Sequence, residues 1–180
     1  NTRPLMPAPG GAERLVGNNP LAIALPTAAD PPLVLDMAMS EAAFARIRLA
    51  AAAGTSIPPG WALAEDGSPT TDPQRAIGGM LLPAGGAKGF GLALVIDLIC
   101  GLLSDGAWGD AVKPLYGDPA APYDCSFLLA AIDIAHFRDL AGFAQGASAA
   151  RERLHHSRRT GGGEPILAPG ERKWARRRSS

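Results

Sequence analysis

The segment LPAGGAKGFGLALVIDLIC, residues 82–100, sets glycines and a single lysine directly ahead of a strongly apolar run. A helix N-terminus presents unpaired backbone N–H groups and the positive end of the helix dipole, and glycine lets an anion come close to that backbone. Lys88 adds a full positive charge, so a phosphate or carboxylate is the ligand this stretch suits. The spacing belongs to neither standard nucleotide loop. Residues 85–91 lack the G-x-G-x-x-G order of a Rossmann turn, and they lack the four-residue gap and G-K-[ST] ending of a P-loop. On spacing alone, Lys88 reads equally as a surface lysine or as part of an anion site.

Other residue types that could do chemistry carry less. His136, His155 and His156 are the three histidines, all on or at the end of the last predicted helix in a charged, solvated context, and the adjacent pair cannot share one helical face and is read as having no Cys or acidic neighbour at ligand spacing. No metal is expected there. Ser40, Ser104 and Ser126 sit in no G-x-S-x-G frame, and Cys100 and Cys125 lie in apolar surroundings without a base partner in sequence, so hydrolase chemistry has no positive support. Asp97, inside the apolar run, reads either as an inward carboxylate satisfied by backbone N–H groups or as an edge residue of the helix; the structural reading is favoured, because a buried acid must be paired.

The elements that position these residues alternate strand and helix. Residues 18–27 and 31–40 read as two strands, the first bracketed by prolines. Ser40 is expected to cap a helix from Glu41 to about Ala53, with Gly54 as its stop. Residues 54–73 read as a long ordered loop with turns at 58–60 and 66–67, anchored by Trp61. A helix follows over about 89–103, then a second loop over 107–125. A third strand is expected over 126–134, and Phe137, Leu140, Phe143, Ala144, Ala147 and Leu154 recur at helical spacing to mark a last long helix. The chain then runs through glycines to a short extended piece.

At 180 residues and 47% hydrophobic content, with formal net charge zero, the chain has the bulk for one globular domain. The charge is uneven: residues 1–150 hold 8 Lys or Arg against 14 Asp or Glu, and residues 151–180 hold 9 against 3. A short basic end on an acidic body reads as a solvated terminus, and no stacking aromatics accompany it, so no nucleic-acid partner is expected. Two unpaired-looking cysteines and the lack of a signal peptide or a membrane-length apolar run give a reduced, cytoplasmic protein with no membrane partner as the expectation. The opening at Asn1, without an initiator methionine, reads like the middle of a loop, and an upstream half is expected.

Taken together, the segments GNNPLAIALP, LVLDMAMS, IPPGWALAEDGSPTTDP, GGMLLPAGGAKGFGLALVIDLICGLLSDGA and LAPGERKW stand in the order and at the spacing of one family. The chain resembles the malate/L-lactate dehydrogenase family, which has the sulfolactate dehydrogenase-like fold and also holds ureidoglycolate dehydrogenase, diketogulonate reductase and piperideine-carboxylate reductase. The resemblance implies an α/β fold whose mixed sheet with packed helices binds NAD or NADP without a Rossmann motif. It also implies a homodimer, no metal, and a small 2-hydroxy or 2-oxo acid as substrate. By position it assigns Asp36, Met37 and Ala38, the pair Lys88 and Gly89, and Pro169, Gly170, Glu171 and Arg172 to the cofactor. A cofactor-binding domain over 1–160 and an extended segment with a basic tail over 161–180 follow from this reading.

Substrate-side positions carry over with changes. Asn18 stands where the family's G-T-N-P has threonine, and in AFAR, residues 43–46, Phe44 and Ala45 replace a basic residue and glycine while Arg46 takes a Lys or Asp position. Arg46 could grip a carboxylate bidentately. The family's proton-exchanging histidine and a substrate-gripping arginine lie upstream of the matched region, so the resemblance places no catalytic residue in this chain and implies little turnover by it alone. The alternative is a non-catalytic domain that has kept the fold.

Overall fold

The computed structural model describes residues 1–115, 118, 120–161 and 163–178. Of the regions read above, positions 116, 117 and 119 of the second loop, 162 of the glycine run and 179–180 of the tail lie outside the described residues. The chain forms two compact units: residues 1–20 with 38–129, and residues 21–37 with 130–180. The boundary read at residue 160 falls inside the second unit.

The second unit is built on an antiparallel pair, β1 (Leu21–Leu25) with β2 (Leu33–Met37), in which Leu21 faces Met37 and Leu25 faces Leu33. Helix α4 (Leu140–His155) is capped by Asp139, whose carboxylate accepts from Gly142 N–H, and α5 (Glu171–Arg178) closes the unit. Of the extended segment expected over 161–180, residues 163–168 form no helix, and Glu171–Arg178 is helical. Gly170, at φ +90°, supplies the turn before it, and Lys173 and Trp174 N–H groups bond back to the Gly170 carbonyl.

The first unit holds α1 (Phe44–Ala53), a three-stranded antiparallel sheet, α2 (Pro73–Gly78) and α3 (Ala87–Leu103). The sheet has the order β4 (Pro69–Thr70), β3 (Ala62–Leu63), β5 (Met80–Leu81). Two of its strands arise inside the loop read over 54–73, whose turns at Gly60 and Gly67 take positive φ of 83° and 81°. Ser40 does not cap α1. Residues 39–41 are held extended by backbone bonds, Met39 N–H to the Asn18 carbonyl, Glu41 N–H to that of Leu82 and Ala84 N–H to that of Met39, so the helix starts only at Phe44, and the Ser40 hydroxyl donates to the Ala42 carbonyl instead.

Residues 126–133 form no strand. Their backbone has no ladder partner among the described residues, and a strand is stable only when its N–H and C=O groups are paired. A short 3-10 turn, Ile134–His136, follows, so His136 precedes α4 rather than lying on it. The fold as a whole is mixed α/β with small antiparallel sheets. Among the described residues no helix is long and apolar enough to cross a membrane.

Candidate functional site

Each sequence-predicted residue can be located within its own unit. In the second unit, Asp36 near the end of β2 pairs with Lys173 of α5. Asp36, Pro169, Gly170 and Arg172 line one cleft of about 560 Å³ together with Val34 and Leu167. Two motifs that are far apart in sequence thus share a surface. The junction is tight: Val34 N–H donates to the Pro169 carbonyl at 3.3 Å, and a side chain at Gly170 would come within 2.8 Å of the Val34 carbonyl. Met37 is exposed at the strand end.

Glu171 turns out of this cleft. Its carboxylate lies 3.0 and 2.9 Å from His155 Nε2 and accepts from Ala168 N–H at 2.8 Å. Partial burial works to raise the Glu171 pKa. The hydrogen bonds from His155 and Ala168, with the positive fields of His155 and Arg151, outweigh it and hold the carboxyl below the usual glutamate range. The solvated setting read for the histidines is corrected here for His155, which is only 32% exposed at its side chain. His136 faces Asp133 and His156 faces Glu152.

In the first unit, the glycine stretch folds more tightly than its sequence suggests. Gly85 and Gly86 take φ of 61° and 63°, a region glycine enters without strain. The turn then consumes its own donors: Gly86 N–H bonds to Pro83, Lys88 N–H to Gly85, Gly89 N–H to Ala84 and Phe90 N–H to Gly86. Among the described residues, Gly85 and Ala87 N–H in this turn lack a backbone acceptor. The free N–H cradle expected for an anion is therefore reduced to the Gly85 and Ala87 donors plus the exposed Lys88 ammonium. Gly89 is buried, and a Cβ there would fall 2.2 Å from the Ala84 carbonyl oxygen, so close packing by itself requires glycine.

Asn18 accepts from the Thr2 hydroxyl at 3.2 Å. Its neighbour Asn19, which sequence reasoning passed over, is fully buried; its carbonyl oxygen accepts from Thr2 N–H and its amide donates to the Ala93 carbonyl, both at 2.8 Å. A polar residue beside Pro20 in an otherwise apolar strand was the available signal. Arg46 is exposed and stacks its guanidinium over the Trp61 ring, 4.5 Å from the centroid. Stacking occupies the face of the fork and leaves its in-plane N–H donors open.

Asp97 is buried at 1% exposure, and Oδ2 accepts from Gly109 N–H at 2.7 Å. Oδ1 has no partner among the described residues, so the carboxylate is half satisfied rather than fully paired. A second cleft, about 540 Å³ and lined by Pro7, Glu41, Gly60 and Pro83, includes Gly85 and Gly86 of the glycine stretch but neither Lys88 nor Gly89. No group of three or more His, Cys, Asp or Glu among the described residues could hold a metal ion.

The model of the family described as malate/L-lactate dehydrogenase matches residues 1–180. The chain belongs to the malate/L-lactate dehydrogenase family. Malate dehydrogenase of Pyrococcus horikoshii is 38% identical over 96% of this chain and 49% of its own length. The (2R)-3-sulfolactate dehydrogenase (NADP(+)) of Chromohalobacter salexigens is 37% identical over 94% of this chain and 48% of its own. The solved sulfolactate dehydrogenase of Methanocaldococcus jannaschii superposes with a TM-score of 0.85 at 31% identity, covering 99% of this chain and 51% of that one. The chain thus has the fold of that family and spans about half the length of the relatives it matches.

Proposed function

We propose that this malate/L-lactate dehydrogenase family chain forms the dinucleotide-holding part of an NAD(P)-dependent oxidoreductase acting on a small 2-hydroxy or 2-oxo acid. When bound, the nicotinamide supplies or accepts the hydride exchanged with C2 of the acid. The observation that carries this reading is the meeting of the Asp36 and Pro169–Arg172 motifs in one cleft, in a chain matched by the family over its full length. The residues fit an anionic, hydroxyl-bearing ligand: Asp36 offers a carboxylate oxygen, and Arg172 a guanidinium that no described residue engages.

Asp36, Met37, Pro169, Gly170 and Arg172 of the second unit, and Ala38, Lys88 and Gly89 of the first, are assigned to the cofactor. Glu171 serves it indirectly, by fixing the turn that presents Gly170 and Arg172. Arg46, preoriented on Trp61, grips the substrate carboxylate, and Asn18 hydrogen-bonds on the substrate side. Oxidising a hydroxy acid also requires a base for the hydroxyl proton. By the resemblance, that base is assigned to the family's histidine upstream of the matched region, which none of His136, His155 and His156 matches, and the working protein is a homodimer.

Titrating the protein with NADH and NADPH while following nicotinamide fluorescence tests the reading. A saturable change with either supports it, and no change with both ends it. Saturable binding without turnover of any 2-oxo acid by the intact enzyme would favour the non-catalytic alternative.

A further inference from the structure

The cleft between β2 and the first turns of α5 carries more than the matched motifs require. Resting on the dinucleotide reading above, we propose that it seats the adenosine 2′-phosphate, the one group by which NADP differs from NAD, and that the protein selects NADP. Lys173 and Arg176 line the cleft beside Arg172, while Asp36 is its one carboxylate among the described residues. That carboxylate is neutralised by the Lys173 ammonium. In a site built for NAD, an unpaired acid takes the ribose hydroxyls and repels a phosphate at the 2′ position. Here the acid is compensated, and the Arg172 guanidinium leaves the cleft a positive group open to a ligand.

A phosphomonoester carries about −1.5 to −2 charge near neutral pH and presents three strong acceptor oxygens. The planar fork of arginine matches such a group bidentately. Arg172 makes no hydrogen bond or ion pair with any described residue, so its donors are available to a ligand. Glu171, the acid in the first turn of α5, does not compete for the cations, because both of its oxygens are taken by His155 and Ala168 N–H. The remaining walls suit the rest of the group: Val34, Leu167 and Pro169 offer apolar surface for an adenine ring, and the volume of about 560 Å³ lies in the range of small-molecule sites.

The test is a pair of binding titrations, NADPH and NADH, on the wild-type protein and on Arg172→Ala and Arg176→Ala. The wild type is expected to bind NADPH at least about ten-fold more tightly than NADH, and each variant to lose about ten-fold in NADPH affinity, as for one charge-assisted phosphate contact. NADPH affinity should fall at least about five-fold more than NADH affinity in each variant, and an unchanged melting temperature reports that the variants are folded. Equal wild-type affinities for the two dinucleotides would overturn the proposal, as would parallel losses for both, which would assign the cleft to a part the dinucleotides share. A wild type that binds neither overturns the dinucleotide reading itself, and this inference with it.

Discussion

Arg46 stands where the resemblance has Lys or Asp, and its geometry shows what a guanidinium adds there. A guanidinium laid over Trp61 is fixed in direction while its N–H edge stays open, and lysine can reproduce neither the stack nor the fork. In the active enzyme Arg46→Lys is expected to raise the KM for the oxo acid about ten-fold with a smaller change in cofactor affinity; an unchanged KM would remove Arg46 from the substrate. Lys88 is the complementary case, an exposed ammonium at a turn that has consumed the N–H donors of Gly86, Lys88, Gly89 and Phe90. Lys88→Ala should weaken dinucleotide binding at least about three-fold, and unchanged affinity in a fluorescence titration would contradict its role. Glu171 predicts a pH dependence. Its folded pKa lies below the unfolded value, so its contribution to stability is complete above the ordinary glutamate range, about 4.3, and is lost as pH falls through the depressed folded value. The melting temperature of Glu171→Gln should therefore lie below wild type near neutral pH and converge with it in acid; parallel curves would count against the His155 link.

At the scale of elements, α3 shows what patterning reveals and what it hides. Gly89, Ala93, Asp97, Cys100 and Gly101 are its buried residues, at spacings of three to four that define one helical face. Small residues occupy that face because backbone lies against it: Gly101 is as crowded as Gly89, with Trp108 Cβ 2.7 Å from where its own Cβ would stand. Gly91 faces open space. Gly89→Ala is thus expected to destabilise the fold by about 1–3 kcal/mol, as overpacking does, whereas Gly91→Ala should raise stability by about 0.5–1 kcal/mol through helix propensity; denaturant midpoints of the two variants would separate these outcomes. The helix itself was legible from its apolar run, and so were β1, β2 and α4, because each carries its own periodicity and turn residues. The missing strand over 126–133 and the late start of α1 were not legible, since both depend on which distant backbone is present to pair. The same holds at the site: Asp36 and the Pro169–Arg172 turn were reachable through the motif order, but the His155–Glu171 link was not, because no local pattern joins residues sixteen apart across a glycine run. Helix α5 was hidden for a related reason, its polar composition offering no apolar stripe.

For the whole molecule, the distribution of exposed apolar side chains bears on assembly. Leu92, Val95, Ile99, Leu102 and Leu103 lie along the outer side of α3, opposite the small buried residues, and are 38–77% exposed. The helix therefore turns its large side chains outward, the reverse of a surface helix on a finished monomer. Contiguous apolar surface of this kind on a folded protein marks an interaction face. The homodimer proposed above would bury it, and a preparation of these 180 residues is expected to sediment at about twice their 18.5 kDa. Val95→Glu combined with Ile99→Glu places two charges on that stripe and should shift the species to the monomer mass without loss of helical circular dichroism, because both side chains are already solvent-facing. Two outcomes of sedimentation velocity would remove the homodimer from the reading: a wild type monomeric at tens of micromolar, or a dimer indifferent to both charges.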